Sequence, residues 1–238
     1  MIAAPPGFRL LRHGAVAAIL DEAIADGAVA AGLDRPWEKV RPRPAGAGTG
    51  RGPCFVAQLE DGTKLFVKQY LRGGAVRLVN HDRYFGRARF LRELAVGRAA
   101  RAAGLPVGET IGLVLVGARP GWRAWGIARY VEGAEDLARL IANGAEAAPL
   151  WRAALALLAR CHEAGLEHPD MNLGNLLARR GADGSLELFV VDLDRARWRG
   201  APLDPKKRAK VVARLERSYR KIFGAEPPND ATSPAAGR

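Results

Sequence analysis

Cysteine is scarce. The 238 residues hold two, Cys54 and Cys161, 107 positions apart. Neither stands at metal-ligand spacing from another cysteine or a histidine, which argues against a zinc module. Two residues so far apart also make no disulfide framework, so a reducing cytoplasm is the expected compartment. Long apolar runs are missing too: no stretch approaches 18 uninterrupted apolar residues, and no helical membrane span is expected. The early run Ala15–Leu20 is broken by Asp21 and Glu22, so no secretory leader is expected. Lysine is rare, with seven residues among 37 cations, and arginine supplies the rest.

What is present describes a folded, basic chain. Hydrophobic residues make up 48% and charged residues 26%, close to a globular average, which excludes a wholly disordered protein. The net charge of +12 favours an anionic partner: nucleic acid, a phosphorylated substrate or an acidic membrane surface. The length suits one or two domains.

Along the chain, residues 14–26 read as helical, and the Pro- and Gly-rich stretch 41–53 as a loop. Phe55–Leu59 and Lys64–Lys68 flank an Asp-Gly turn and predict a hairpin. A basic helix is expected over 84–103, with Phe85, Phe90 and Leu94 among its apolar positions. Strands follow at Ile111–Val116 and Ala124–Val131, then a short helix at Glu135–Ile141. Leu150, Ala154, Leu157, Leu158 and Cys161 fall at helical spacing. A second hairpin joins Asn175–Ala178 to Leu186–Val191. Lys206–Phe223 reads as a basic amphipathic helix, and the tail 224–238 as disordered. A strand-rich half followed by a helix-rich half is an α+β, two-lobe arrangement, with the crossover near Glu132-Gly133.

The chemistry concentrates in His168-Pro169-Asp170-Met171-Asn172-Leu173-Gly174-Asn175, a loop between an apolar helix and a hairpin. The spacing lets the Asp170 carboxylate face a substrate while the Asn175 amide oxygen reaches a metal. Asp192, at the end of an apolar strand, is placed to bind a cation.

These residues resemble the protein-kinase-like superfamily, whose pattern is H-x-D-hydrophobic-x-x-x-N followed by an apolar strand ending in Asp. Lys68, ending the second strand of the first hairpin, is similar to the family's phosphate-binding lysine, and Glu93 in the next helix to its partner. Gly48, Gly50 and Gly52 stand where the phosphate-covering loop is expected. The resemblance spans residues 45–222 and implies a small β-rich N-lobe and a helical C-lobe. The chain then divides into an N-terminal extension with a short helix (1–44), a nucleotide-binding N-lobe (45–132), a C-lobe with the catalytic loop and metal site (133–223), and the tail (224–238).

Within that superfamily the chain resembles the bacterial lipopolysaccharide kinases of inner-core sugars, in particular those acting on 3-deoxy-D-manno-octulosonic acid (Kdo). Gln69-Tyr70-Leu71-Arg72-Gly73-Gly74, the loop His168–Leu177, and Asp192-Leu193-Asp194-Arg195 carry the likeness. It implies ATP and Mg²⁺, with Lys68 on the phosphates, Glu93 orienting it, Asn175 and Asp192 on the metal, and Asp170 taking the acceptor's proton. It also implies an anionic glycolipid acceptor, a Kdo-bearing lipid A precursor, met as a peripheral protein at the cytoplasmic face of the inner membrane. His168 is expected to pack rather than act as a base, and Asp194 is open between metal, cap and substrate. Pro169 replaces the kinase Arg, and no Ala-Pro-Glu follows Asp192, so a phosphorylation-switched activation loop is not expected.

Two segments concentrate charge: Arg72–Arg101 with a net of +6 and Lys206–Lys221 with +7. The second is either a solvated face or a contact for anionic headgroups. Arg72, Gly73, Gly74, Arg77, Arg195 and Arg197 are expected to hold the acceptor. Rival readings are a heptose kinase, another sugar or small-molecule kinase, a pseudokinase, and a basic nucleic-acid-binding protein. No nucleic-acid motif accompanies the charge, so nucleic acid is not expected as a partner.

Overall fold

The computed structural model describes residues 3–39, 53–72 and 82–228. The expected phosphate-covering glycines Gly48, Gly50 and Gly52, the acceptor residues Gly73, Gly74 and Arg77, and the tail from 229 lie outside them. The chain divides into two compact units, residues 1–98 with 109–130 and residues 99–108 with 131–238.

The first unit is built on a six-stranded antiparallel sheet. Its strands are β1 (Phe8–His13), β2 (Val16–Asp21), β3 (Cys54–Gln58), β4 (Lys64–Gln69), β5 (Thr110–Gly117) and β6 (Trp122–Arg129), in the order β1-β2-β5-β6-β4-β3. It holds the short α1 (Ala25–Ala30) and most of the longer α2, which begins at Ala88 and runs to Ala102, its residues from Ala99 counting with the second unit. Strand alternation sends side chains to opposite faces. Leu65 and Val67 of β4, Trp125 and Ile127 of β6, and Ala18 and Leu20 of β2 pack with Ala25, Ala28 and Leu33. Ala17 and Ile19, Leu113 and Leu115, and Ala124 face Phe90 and Leu94 of α2. A bulge between Thr110 and Gly112 shifts the register of β5 and puts Ile111 in the same cluster as Val114.

Two expectations fail in this unit. Residues 14–26 are not a helix: they contain β2, which continues the β1 hairpin, so part of the expected extension 1–44 belongs to the sheet. The run Val16–Leu20 is apolar on both faces because both faces are covered, and a run of that kind has no periodicity to separate strand from helix. Phe85 is not a helix-core position either; it precedes α2 and is 69% exposed.

The second unit is mainly helical. It holds α3 (Leu137–Ala142), α4 (Ala147–Glu163) and α5 (Pro205–Phe223). A three-stranded sheet orders β10 (Leu186–Val190), β9 (Leu176–Arg180) and β7 (Glu135–Asp136), and β8 (Leu166–Glu167) pairs with β11 (Arg197–Trp198). α4 buries Leu150, Ala154, Leu157, Leu158 and Cys161, the spacing read from the sequence. α5 starts at an Asp-Pro pair: the Asp204 side chain accepts from the Lys207 N–H, and Pro205 takes the first helical position, where no N–H is needed. Its buried stripe is Val211, Leu215 and Tyr219, with Tyr219 edge-on to Trp151 at 5.5 Å.

Candidate active site

In the first unit, alternation fixes where Lys68 points. Leu65 and Val67 are buried on the face of α1, so Lys68 projects to the face of α2. There Glu93 is buried at 6% exposure, on the same side of α2 as Phe90 and Leu94. The Lys68 Nζ stands 3.8 Å from Glu93 Oε1. The pairing expected from the sequence is present.

A third residue, not expected from the sequence, joins the pair. The Tyr70 hydroxyl donates a hydrogen bond to Glu93 Oε2, and Lys68 Nζ lies 4.9 Å from the Tyr70 ring centroid. Tyr70 packs on Phe90 at 4.8 Å. Its approach depends on Gly126, which pairs with Lys68 in the β4–β6 register: a Cβ there would sit 2.6 Å from the Tyr70 hydroxyl. One carboxylate is thus held by an ammonium on one oxygen and a phenol on the other. Such a buried charge is tolerated because it is paired. In the sequence Tyr70 stood out only as part of the segment Gln69–Gly74, with nothing to point to its bond with Glu93.

In the second unit, one loop and one strand end carry the remaining residues. The Asp170 backbone carbonyl accepts from the amide nitrogens of Asn172, at 2.8 Å, and Asn175, at 3.1 Å. Asn172 Oδ1 in turn accepts from Gly174 N–H at 3.0 Å, so Asn172 braces the loop. The Val191 N–H donates to the Asn175 carbonyl at 2.9 Å, which brings Asn175 beside the chain just before Asp192. Asp192 has φ 61° and ψ 58°, and is the one non-glycine residue with positive φ among the described residues. This left-handed kink turns the chain sharply out of β10 into the short 3₁₀ turn Leu193–Arg195.

His168 is buried at 2% exposure, and its Nε2 is 3.4 Å from the Val191 carbonyl. It ties the loop to the strand end and is not placed as a base, in agreement with the packing role expected. Burial pushes its imidazole below the ordinary histidine range, against the Val191 carbonyl and the Asp192 and Asp170 carboxylates. His162 of α4 is lowered by burial and then by the Arg208 guanidinium, with Glu163 opposing. The sign follows by linkage. An unfolded histidine takes up a proton near pH ~6.5, while these two resist it, so acid favours the unfolded chain. Stability is intact above about pH 6.5 and falls as the pH drops through the depressed folded values. Denaturant midpoints should therefore be lower at pH ~5.5 than at pH ~7.5, and His162→Leu should remove part of that difference. Equal midpoints in the unmutated protein would refute the linkage.

The Asp170 carboxylate, a third exposed, meets two arginines: Arg214 Nη2 of α5 donates to Oδ1 at 2.6 Å, and Arg195 Nη1 is 3.3 Å from Oδ2. Arg195 was expected at the acceptor and Arg214 was not. Arg214 sits among eight basic residues of one helix, and nothing in their spacing singles it out. Arg197 lies on the exposed edge of β11, opposite Glu167. In the first unit Arg72 stacks on Tyr84 at 5.0 Å, and its Nε donates to the Arg83 carbonyl at 2.7 Å.

Among the described residues no cluster of three or more His, Cys, Asp and Glu forms a metal cage. The set at this loop suits Mg²⁺ all the same. A carboxylate and an amide oxygen are hard donors, and Mg²⁺ commonly takes one or two protein oxygens and completes its shell with phosphates and water. The Asn175 amide nitrogen is committed to the Asp170 carbonyl, which leaves the oxygen end as the one for a cation. Asp192 and Asn175 would hold the ion.

Comparison with known proteins gives one family. Residues 35–232 match the family described as Lipopolysaccharide kinase (Kdo/WaaP). The chain is 33% identical over 195 residues to a 3-deoxy-D-manno-octulosonic acid kinase of Xanthomonas oryzae pv. oryzae (strain PXO99A), across 77% of this chain and 72% of that one. It is 31% identical over 191 residues to the enzyme of the same name from Stenotrophomonas maltophilia (strain K279a), across 76% and 74%. Among solved structures, the fold is similar to WaaP in complex with acyl carrier protein, with TM-score 0.53 and 20% identity over 86% of this chain and 82% of that one. It is also similar to the Rio2 kinase–ADP/Mg²⁺–phosphoaspartate complex from Chaetomium thermophilum, with TM-score 0.55 and 18% identity over 97% and 69%. The fold is therefore the α+β, protein-kinase-like one. Together with the loop from His168 to Asn175 and the acidic strand end at Asp192, these matches establish that the chain belongs to the lipopolysaccharide kinase (Kdo/WaaP) family and is a phosphotransferase with an alcohol acceptor.

Proposed function

We propose that the protein transfers the γ-phosphoryl group of ATP to a hydroxyl of a Kdo residue on a lipid A precursor, in lipopolysaccharide inner-core synthesis. The observation that supports this most is the identity of about a third with Kdo kinases over three quarters of the chain. The acceptor oxygen forms a bond to the γ-phosphorus while the bond to the β,γ-bridging oxygen breaks. ADP leaves with that electron pair, and the hydroxyl proton passes to Asp170. Lys68 takes the α- and β-phosphates, with Glu93 and Tyr70 fixing its direction. Asn175 and Asp192 hold Mg²⁺, which when bound supplies charge neutralisation at the phosphates. Gly48, Gly50 and Gly52, outside the described residues, are the ones proposed to cover the phosphates.

The acceptor is anionic and lies in a membrane, so the protein works as a peripheral one at the cytoplasmic face of the inner membrane. None of the described helices is long and apolar enough to cross a membrane. The net +7 of Lys206–Lys221 suits anionic headgroups, at about 1 kcal/mol per basic residue near the surface.

Purified protein incubated with ATP and a Kdo-bearing lipid A precursor, followed by mass spectrometry, tests the reading. A gain of one phosphate on the Kdo fragment is expected. No gain, or a gain on another sugar, overturns it. On the nucleotide side, Lys68→Met should raise the KM for ATP by about 100-fold or more. Tyr70→Phe keeps the ring on Phe90 and removes one charged hydrogen bond, so a rise of roughly 3- to 10-fold is expected. A fluorescent ADP analogue reads both without turnover. Unchanged nucleotide affinity in Tyr70→Phe would leave the phenol with no part in holding Glu93.

A further inference from the structure

Two arginines beside a catalytic carboxylate call for a reason. Exposed ion pairs contribute little to stability, about 0–1 kcal/mol each, and the Arg214 and Arg195 side chains are 48% and 61% exposed. Stability is a weak explanation for placing them there. α5 is nonetheless registered on the catalytic loop. Ser218, one helical turn after Arg214, accepts from the Leu173 N–H at 3.3 Å, while Arg214 reaches Asp170. Residues four apart share a helix face, and the buried stripe Val211, Leu215 and Tyr219 beside them seats the helix. Arg195 is carried by the 3₁₀ turn that the left-handed Asp192 begins.

Each guanidinium carries five N–H donors in a planar fork. One nitrogen of each faces Asp170, Nη2 of Arg214 and Nη1 of Arg195. A fork that spends one edge on a carboxylate has a further edge with the geometry for a second oxyanion. The trio of two arginines and one aspartate carries a net positive charge, in contact with solvent.

We propose that Arg214 and Arg195 form an oxyanion subsite beside Asp170 that recognises the carboxylate or phosphate of the acceptor and so delivers its hydroxyl to Asp170. The arginines link the proton acceptor to the substrate's own negative group. A neutral sugar would lack that link. This inference deepens the reading of the acceptor given above and rests on it for the identity of the sugar.

The test separates the two. Steady-state kinetics with the Kdo-bearing lipid varied at saturating ATP should show a rise in acceptor KM of about 10- to 100-fold in Arg214→Ala, with the KM for ATP within about twofold. Arg214→Lys should recover only part, because an ammonium has charge but no fork. Wild type acting on the acceptor with its carboxylates methyl-esterified, or with its lipid phosphates removed, identifies which oxyanion is read: the modification that copies Arg214→Ala in wild type, and adds nothing further in the variant, names it. Saturation-transfer NMR with free Kdo and phosphorus NMR with inorganic phosphate read the subsite without turnover, and binding of one of them should be lost in Arg214→Ala. ADP affinity, unchanged, shows the variant folded. If wild type phosphorylates no Kdo lipid but anion binding still depends on Arg214, the subsite stands and the substrate assignment falls. If wild type phosphorylates the Kdo lipid while Arg214→Ala and Arg195→Ala leave acceptor KM and anion binding unchanged, the subsite is overturned. A parallel rise in ATP KM overturns it as well.

Discussion

Asp170→Asn should reduce phosphoryl transfer by about 10²- to 10⁴-fold, the usual cost of removing a positioned proton acceptor, while ADP binding stays within about twofold. The substitution keeps size and shape. The backbone carbonyl that orders the loop, through Asn172 and Asn175, is untouched. Only the side-chain partners, Arg214 and Arg195, lose their counter-charge. These pairs are exposed enough that unfolding midpoints should hardly move. A large loss of turnover with intact stability and intact nucleotide binding therefore separates chemistry from folding. Single-turnover measurement with the acceptor saturating is the check. A variant that keeps more than about a third of wild-type turnover would remove Asp170 from the reaction.

Legibility in the sequence followed the physics of each element. The helices α4 and α5 carried an apolar stripe at helical spacing, so both were readable to within a few residues. The hairpin of β3 and β4 was readable from Asp61-Gly62 between apolar runs. β2 was not, because a strand covered on both faces lacks the alternation that identifies strands. Among the proposed site residues, Lys68 was readable as a strand end, and alternation alone then dictated its face. Asp170, Asn175 and Asp192 were readable because one short loop and one strand end carry them. Tyr70 and Arg214 were not. Each acts across the fold, Tyr70 onto Glu93 and Arg214 onto Asp170 from 44 positions away. Contacts between residues so far apart leave no local pattern. The basic run of α5 hid Arg214, the member of that run that meets the Asp170 carboxylate, because charge counting treats all members of a run alike.

The backbone at Asp192 makes the second large prediction a graded one. Left-handed φ costs an ordinary residue roughly 1–2 kcal/mol, and Asn and Asp tolerate it best. Asp192→Asn therefore keeps the kink out of β10 and removes only the anionic oxygen that would hold Mg²⁺. Asp192→Ala removes the oxygen and adds backbone strain. Both should lose activity by about 10²-fold or more, since neutralising charge on the transferring phosphates is worth several kcal/mol. Asn should do so with an unfolding midpoint close to wild type, and Ala with a lowered one. The Mg²⁺ concentration for half-maximal rate should rise about 10-fold or more in Asp192→Asn, because a neutral amide replaces a charged ligand for a hard cation. Direct titration of Mg²⁺ in the presence of ADP, followed by calorimetry, reads the same change without turnover. If the Mg²⁺ titration and the maximal rate of Asp192→Asn both match wild type, Asp192 holds no metal, and its left-handed backbone serves only to aim Arg195 at Asp170.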